Sequence, residues 1–133
     1  MMRAGWSHGR LSGWIAAAAA IGLVAALGGC RQARGQTRAI AGGDPERGKA
    51  LIQNYGCNSC HMIPGVQDGG TVGPPLTAWS RRTYIAGEVQ NTPDFLIRWI
   101  EMPQAIEPGT VMPNLGVTEG NARDIAAYLY TIR

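Results

Sequence analysis

A chain of 133 residues with 45% hydrophobic content has room for one small domain, and an aromatic content of 7% leaves its core thin. Nineteen glycines and eight prolines point to long, turn-rich connections and exclude a sheet-heavy fold. The formal charge of +3 belongs to the first part of the chain: from Ala39 onward seven basic residues stand against nine acidic ones, which argues against nucleic acid as a partner.

The first element is an export leader. Arg3 and Arg10 supply its positive start, residues 15–27 form an almost purely apolar run, and Leu27-Gly28-Gly29-Cys30 closes it. That run of thirteen residues is short of the about 20 needed to span a bilayer. The closing tetrapeptide resembles a bacterial lipoprotein box. The resemblance implies cleavage before Cys30, lipidation of its sulfur, and anchorage on the periplasmic side of the cytoplasmic membrane. An uncleaved signal anchor and a soluble periplasmic product are the competing readings of the same stretch. Residues 1–29 are therefore assigned to the leader, 30–42 to the lipidated cysteine and a flexible Arg/Gln/Gly/Ala tether, and 43–133 to the domain. Arg31, Arg34 and Arg38 of the tether would lie near anionic lipid head groups.

Asp44-Pro45-Glu46 is a helix start, with a capping acid, a proline at the first helical position and an acid in the first turn. The helix is predicted to run to Tyr55, turning Leu51 and Ile52 inward, and to end at Gly56. It delivers the chain to Cys57-Asn58-Ser59-Cys60-His61. Two thiols separated by two residues can add across the vinyl groups of a haem, and the next residue supplies an imidazole for the iron; this is the pattern of c-type haem attachment. A zinc knuckle would need further Cys or His ligands, and only Cys30 and His8 remain. A thioredoxin-like redox pair would follow a strand and open a helix, whereas this motif follows a helix and precedes a Gly/Pro-rich loop. With Cys30 lipidated and Cys57 and Cys60 on the haem, no thiol is left over and no disulfide is expected.

After His61 come Met62-Ile63-Pro64-Gly65, Gly69-Gly70 and Gly73-Pro74-Pro75-Leu76, a density of breakers that leaves no regular element. Here the chain resembles the single-haem class I cytochromes c, of the bacterial, membrane-tethered kind with a mitochondrial-type haem domain. The resemblance implies an all-α fold, a small cytochrome c fold of three to five helices around one covalently attached haem c. It implies that the Pro74 carbonyl accepts the second ring N–H of His61, that Leu76 packs on the macrocycle, and that Arg82 bonds a haem propionate, a role that Arg81 or Tyr84 could fill instead.

Thr92-Pro93-Asp94 repeats the helix-start signature, with Phe95, Leu96, Trp99 and Ile100 on one face and Pro103 ending the helix after Met102. In the family this helix walls the haem opposite the histidine, and Trp99 stands where an aromatic neighbours the distal ligand. Pro108-Gly109-Thr110-Val111-Met112-Pro113 resembles the family's methionine loop, which implies Met112 as the sixth iron ligand; Met102 or an open position are the alternatives. Thr118 caps a last helix, with Ala122, Ile125, Ala126 and Leu129 at helical spacing. The family packs an aromatic, here Tyr128, against the first helix near a small residue, here Gly48.

These features together read as an electron carrier and not an enzyme. Its expected partners are respiratory redox proteins, namely quinol-cytochrome c reductase, a terminal oxidase or a periplasmic dehydrogenase. A permanent haem subunit of such a complex is one alternative. A gas sensor or peroxidase, should Met112 leave the iron, is the other.

Overall fold

The computed structural model describes residues 40–133; the leader, Cys30 and most of the tether lie outside them. Ile40 is buried at 8% exposure, and its carbonyl accepts from the Gly43 N–H at 3.1 Å. Helix α1 (Pro45–Asn54) begins where the Asp44 carboxylate accepts the backbone N–H groups of Glu46 and Arg47, at 3.0 and 3.1 Å. It ends because Tyr55 caps it and Gly56 turns the chain at φ 73°. Ile52 is buried and Leu51 partly so.

The chain from 62 to 76 holds no helix or strand. A two-stranded antiparallel hairpin follows, β1 (Tyr84–Ile85) and β2 (Val89–Gln90), which sequence reading missed. Its turn puts Ala86 and Gly87 at φ 54° and 84° and closes from the Glu88 N–H to the Ile85 carbonyl at 3.0 Å. Alanine rarely occupies that left-handed region, so only Gly87 advertised the turn.

Helix α2 (Pro93–Glu101) starts with the Thr92 hydroxyl accepting the Phe95 N–H at 3.4 Å. Its buried face is Leu96, Ile97, Trp99 and Ile100; Phe95, predicted inward, is 39% exposed. The helix packs against both β1 and the last helix, so the covered stripe is rotated toward Ile97 and away from Phe95. Helix α3 (Glu119–Leu129) is capped by Thr118 and buries Ala122, Ile125, Ala126 and Leu129 as predicted. The fold is thus a small, mostly helical one with three α-helices among the described residues. No helix among them is long and apolar enough to cross a membrane.

Helices α1 and α3 make the tightest contact. A Cβ on Gly48 would lie 2.5 Å from the Asp124 carbonyl carbon and 3.0 Å from the Ile125 nitrogen. Backbone therefore meets backbone where a side chain would stand. Tyr128 also reaches the 64–65 turn, its hydroxyl donating to the Pro64 carbonyl at 2.7 Å.

Asp124, 2% exposed, sits beside this crossing. Its carboxylate accepts the Asp44 backbone N–H at 2.8 Å and both Nε and Nη2 of Arg47, the latter at 2.8 Å. One buried acid thus ties the start of α1 to α3. The Arg47 hydrogen bonds hold its carboxyl below the usual carboxylate range, against the opposing effect of burial. A depressed native pKa means that the unfolded chain binds the proton more readily. The stabilisation is therefore full above the unfolded value of about 3.9 and is lost as pH falls through the native one. Asp124→Asn should cost about 1–2 kcal/mol at neutral pH, the low side of a buried charged bond because Arg47 is half in solvent. Denaturant melts at pH 7 and pH 3 check this: the gap between variant and parent should narrow at the lower pH.

Candidate cofactor site

Gly56, in the left-handed conformation, lets the chain turn into a single 3₁₀ turn, Cys57–Ser59. The Cys57 carbonyl accepts both the Cys60 N–H at 3.3 Å and the His61 N–H at 3.0 Å, so the two sulfurs and the imidazole come off one tight coil. Burial pushes the Cys57 thiol above its ordinary range, which keeps it neutral against an apolar wall.

The breaker-rich loop is laid back on this coil by three backbone hydrogen bonds, each of 2.8 Å: Gly70 N–H to Asn58, Gly73 N–H to Cys60, and Leu76 N–H to Met62. Their register presents the Pro74 carbonyl to His61 Nδ1 at 2.7 Å. A carbonyl can only accept, so Nδ1 carries the proton and Nε2 is left with its lone pair for a metal. Glycine is required beside the ring: a Cβ on Gly73 would stand 2.6 Å from Nδ1 and 2.9 Å from Nε2 of His61.

Met112 is held by its own backbone. Its carbonyl accepts the Gln104 side-chain N–H at 2.7 Å, and its N–H donates to the Thr110 hydroxyl at 3.2 Å. Among the described methionines, Met62 and Met102 are about half exposed, at 49% and 48%, while Met112 packs on the core.

All eight residues singled out in the domain line one cleft: Cys57, Cys60, His61, Pro74, Leu76, Arg82, Trp99 and Met112. Its volume is about 350 Å³, within the range of pockets for cofactor-sized ligands, roughly 300–1,000 Å³. The remaining walls are aliphatic, from Ile52, Leu96, Ile100, Ile125 and Leu129 among others. At the rim Val72 and Val111 are 80% and 94% exposed. Sequence reading missed Trp79, which also lines the cleft; it follows the Pro-rich loop without helical or strand periodicity to mark it as inward.

This donor set fits a covalent haem and fits zinc poorly. Two thiols, an imidazole whose Nδ1 is held by the Pro74 carbonyl, and a thioether line the same cleft, and its walls are apolar. Among the described residues no three His, Cys, Asp or Glu side chains gather where they could share a metal ion.

The fold and the cleft define a small helical domain of the c-type cytochrome kind. Residues 45–133 match the Cytochrome c family, and the chain belongs to it. Over 104 residues it is 35% identical to cytochrome c2 of Rhodopila globiformis, covering 68% of this chain and 95% of that protein. Over 88 residues it is 31% identical to cytochrome c oxidase subunit 2 of Alkalihalophilus pseudofirmus, covering 65% of this chain and 25% of that subunit. The chain thus spans about a quarter of the oxidase subunit and nearly all of the smaller cytochrome. It is a class I type electron-transfer domain related to both.

Proposed function

We propose that the protein carries single electrons between respiratory partners, with haem c joined through Cys57 and Cys60 and the iron held axially by His61 and Met112. The observation that carries this reading is the gathering of both thiols, the proton-directed imidazole and Met112 around one apolar cleft. Bound there, haem iron supplies one-electron cycling between ferric and ferrous states, and a neutral thioether ligand favours the ferrous one.

The chain's own residues make the site a carrier rather than a catalyst. Pro74 fixes the His61 ring, and Gln104 and Thr110 fix the Met112 backbone, so both ligand residues are positioned in advance. The aliphatic walls exclude water. Val72 and Val111 offer an exposed apolar rim, and with acidic residues only slightly in excess over basic ones in the domain, long-range steering of partners is weak. A lipid on Cys30 would instead hold the carrier beside its partners on the periplasmic face of the membrane, raising their effective concentration. Those partners are respiratory redox proteins: a quinol-cytochrome c reductase, a terminal oxidase or a periplasmic dehydrogenase.

The test is the visible spectrum of the ferrous, haem-loaded full chain before and after carbon monoxide. Low-spin bands that do not move are expected. A prompt shift would show an open sixth position, and the carrier reading would give way to a gas sensor or peroxidase.

A second reading is favoured by the likeness to part of an oxidase subunit: this chain is a fixed subunit of a terminal oxidase. Purification from membranes in mild detergent separates the two. A stable complex supports the subunit; recovery alone supports the shuttle.

A further inference from the structure

We propose that Gln104 is the latch of the methionine loop: its side-chain amide sets how often Met112 leaves the iron, and so keeps the carrier from becoming a ligand-binding haem protein. The inference rests on the His61 and Met112 ligation proposed above. It adds to that ligation a positioning residue that lies outside the cleft.

Gln104 stands on a firm base. It belongs to the 3₁₀ turn Pro103–Ala105 that follows α2, where Pro103 is buried and its carbonyl accepts the N–H groups of both Ile106 and Glu107, at 3.1 and 3.0 Å. The segment it reaches is tied more loosely. Val111 is 94% exposed and Leu115 39%, with packing confined to the Met112 side chain and to Val117 at the far end. Two hydrogen bonds on residues 111–117 close over two residues each: Met112 N–H to the Thr110 hydroxyl, and Gly116 N–H to the Asn114 side chain. Among the described residues, the bond from Gln104 Nε2 to the Met112 carbonyl, at 2.7 Å and across eight residues, is the one that ties this segment back to the turn after α2.

A swing that carries the sulfur off the iron takes the Met112 carbonyl with it and has to break this bond. A bond of ordinary net strength makes such a swing about three- to tenfold rarer. The donor is a neutral carboxamide facing a carbonyl that can only accept, so the latch itself does not titrate.

The experiment follows nitric oxide binding to the ferric, haem-loaded full chain. Nitric oxide is uncharged, and at high concentration its binding rate levels off at the rate at which Met112 departs. Gln104→Ala should raise that limit about three- to tenfold. Gln104→Glu, of the same size, decides whether the donated hydrogen is the cause, because an ionised carboxylate cannot donate and a protonated one can. Its limiting rate should equal or exceed that of Gln104→Ala at pH 7 and fall toward the parent's at pH 4, below the ordinary glutamate value of about 4.3. The parent over the same range accounts for the neighbouring acids Glu101 and Glu107, the latter accepting the Gly109 N–H at 2.9 Å. Unchanged limiting rates in both variants, or a Gln104→Glu rate that moves with pH only as the parent's does, would overturn the latch. The charge-transfer band of methionine-bound ferric haem in the parent reads the underlying ligation separately; its absence would overturn that ligation and the latch with it.

Discussion

Met112→Ala should bind one carbon monoxide per haem in the ferrous state, where the parent protein binds none. The loop that carries Met112 is tied down through backbone atoms, by Gln104 at its carbonyl and Thr110 at its N–H. Those bonds survive removal of the side chain, so the loop should keep its course while the sulfur is lost. Among the described residues no other methionine is placed to substitute, since Met62 and Met102 are about half exposed and do not line the cleft. The midpoint potential should fall as well, because the soft ligand that favours ferrous iron has gone. Met102→Ala is the matching control and should leave the spectrum and the gas response unchanged. If Met112→Ala still ignores carbon monoxide, another group holds the sixth position and the proposed ligand pair is wrong.

Gly48→Ala should destabilise the domain by about 2–3 kcal/mol, lowering the melting temperature by roughly 10–20 °C. The sign is opposite to what helix propensity alone dictates, since alanine inside a helix ordinarily gains about 0.5–1 kcal/mol over glycine. What decides is the neighbour. The new Cβ would stand 2.5 Å from the Asp124 carbonyl carbon, and a backbone carbonyl cannot rotate aside as a flexible side chain would. The helices would have to move apart, loosening the Asp124 bonds to Asp44 and Arg47 beside the crossing. Gly120, in the first turn of α3, makes the comparison clean because a Cβ there meets nothing within 4 Å. Gly120→Ala should be neutral or stabilising by up to about 1 kcal/mol. Two thermal melts of the haem-loaded variants settle the matter, and equal melting temperatures would mean that the two helices do not meet at Gly48.

Much of this molecule was legible because its signals are local. Asp44-Pro45, Thr92-Pro93 and Thr118 mark helix starts through bonds reaching only two or three residues onward, and the observed caps use those bonds. The cleft residues were legible for the same reason: the thiols and imidazole sit within one five-residue motif, and the Pro74 and Met112 loops carry distinctive Gly/Pro spacing. What escaped is defined by partners far away in the chain. Asp124 reads as a polar residue on an amphipathic helix, and nothing beside it announces that Arg47 and the Asp44 N–H will close over it. Asn91 reads as a loop residue before a cap, although its side chain holds Trp79, Arg82 and Tyr130 together. Phe95 and Ile97 exchanged places because a helical period gives the width of an apolar stripe but not its rotation; that is set by β1 and α3.

The Asp44–Asp124 bond joins groups eighty residues apart in sequence, and this separation orders events in time. Helix α1 comes before the cysteine motif in the chain, yet its main packing partner, α3, is the last described helix. As the chain is delivered from its N-terminus, Cys57 and Cys60 emerge long before that partner exists. A chain delivered in that order would carry its thiols on an unclosed segment, accessible to a large planar molecule, until α3 arrived. Closure of α3 over α1, both of which line the cleft, would then shut it. The residue that locks the domain shut is thus among the last to arrive, so the same clamp that stabilises the finished protein leaves its assembly time to take place.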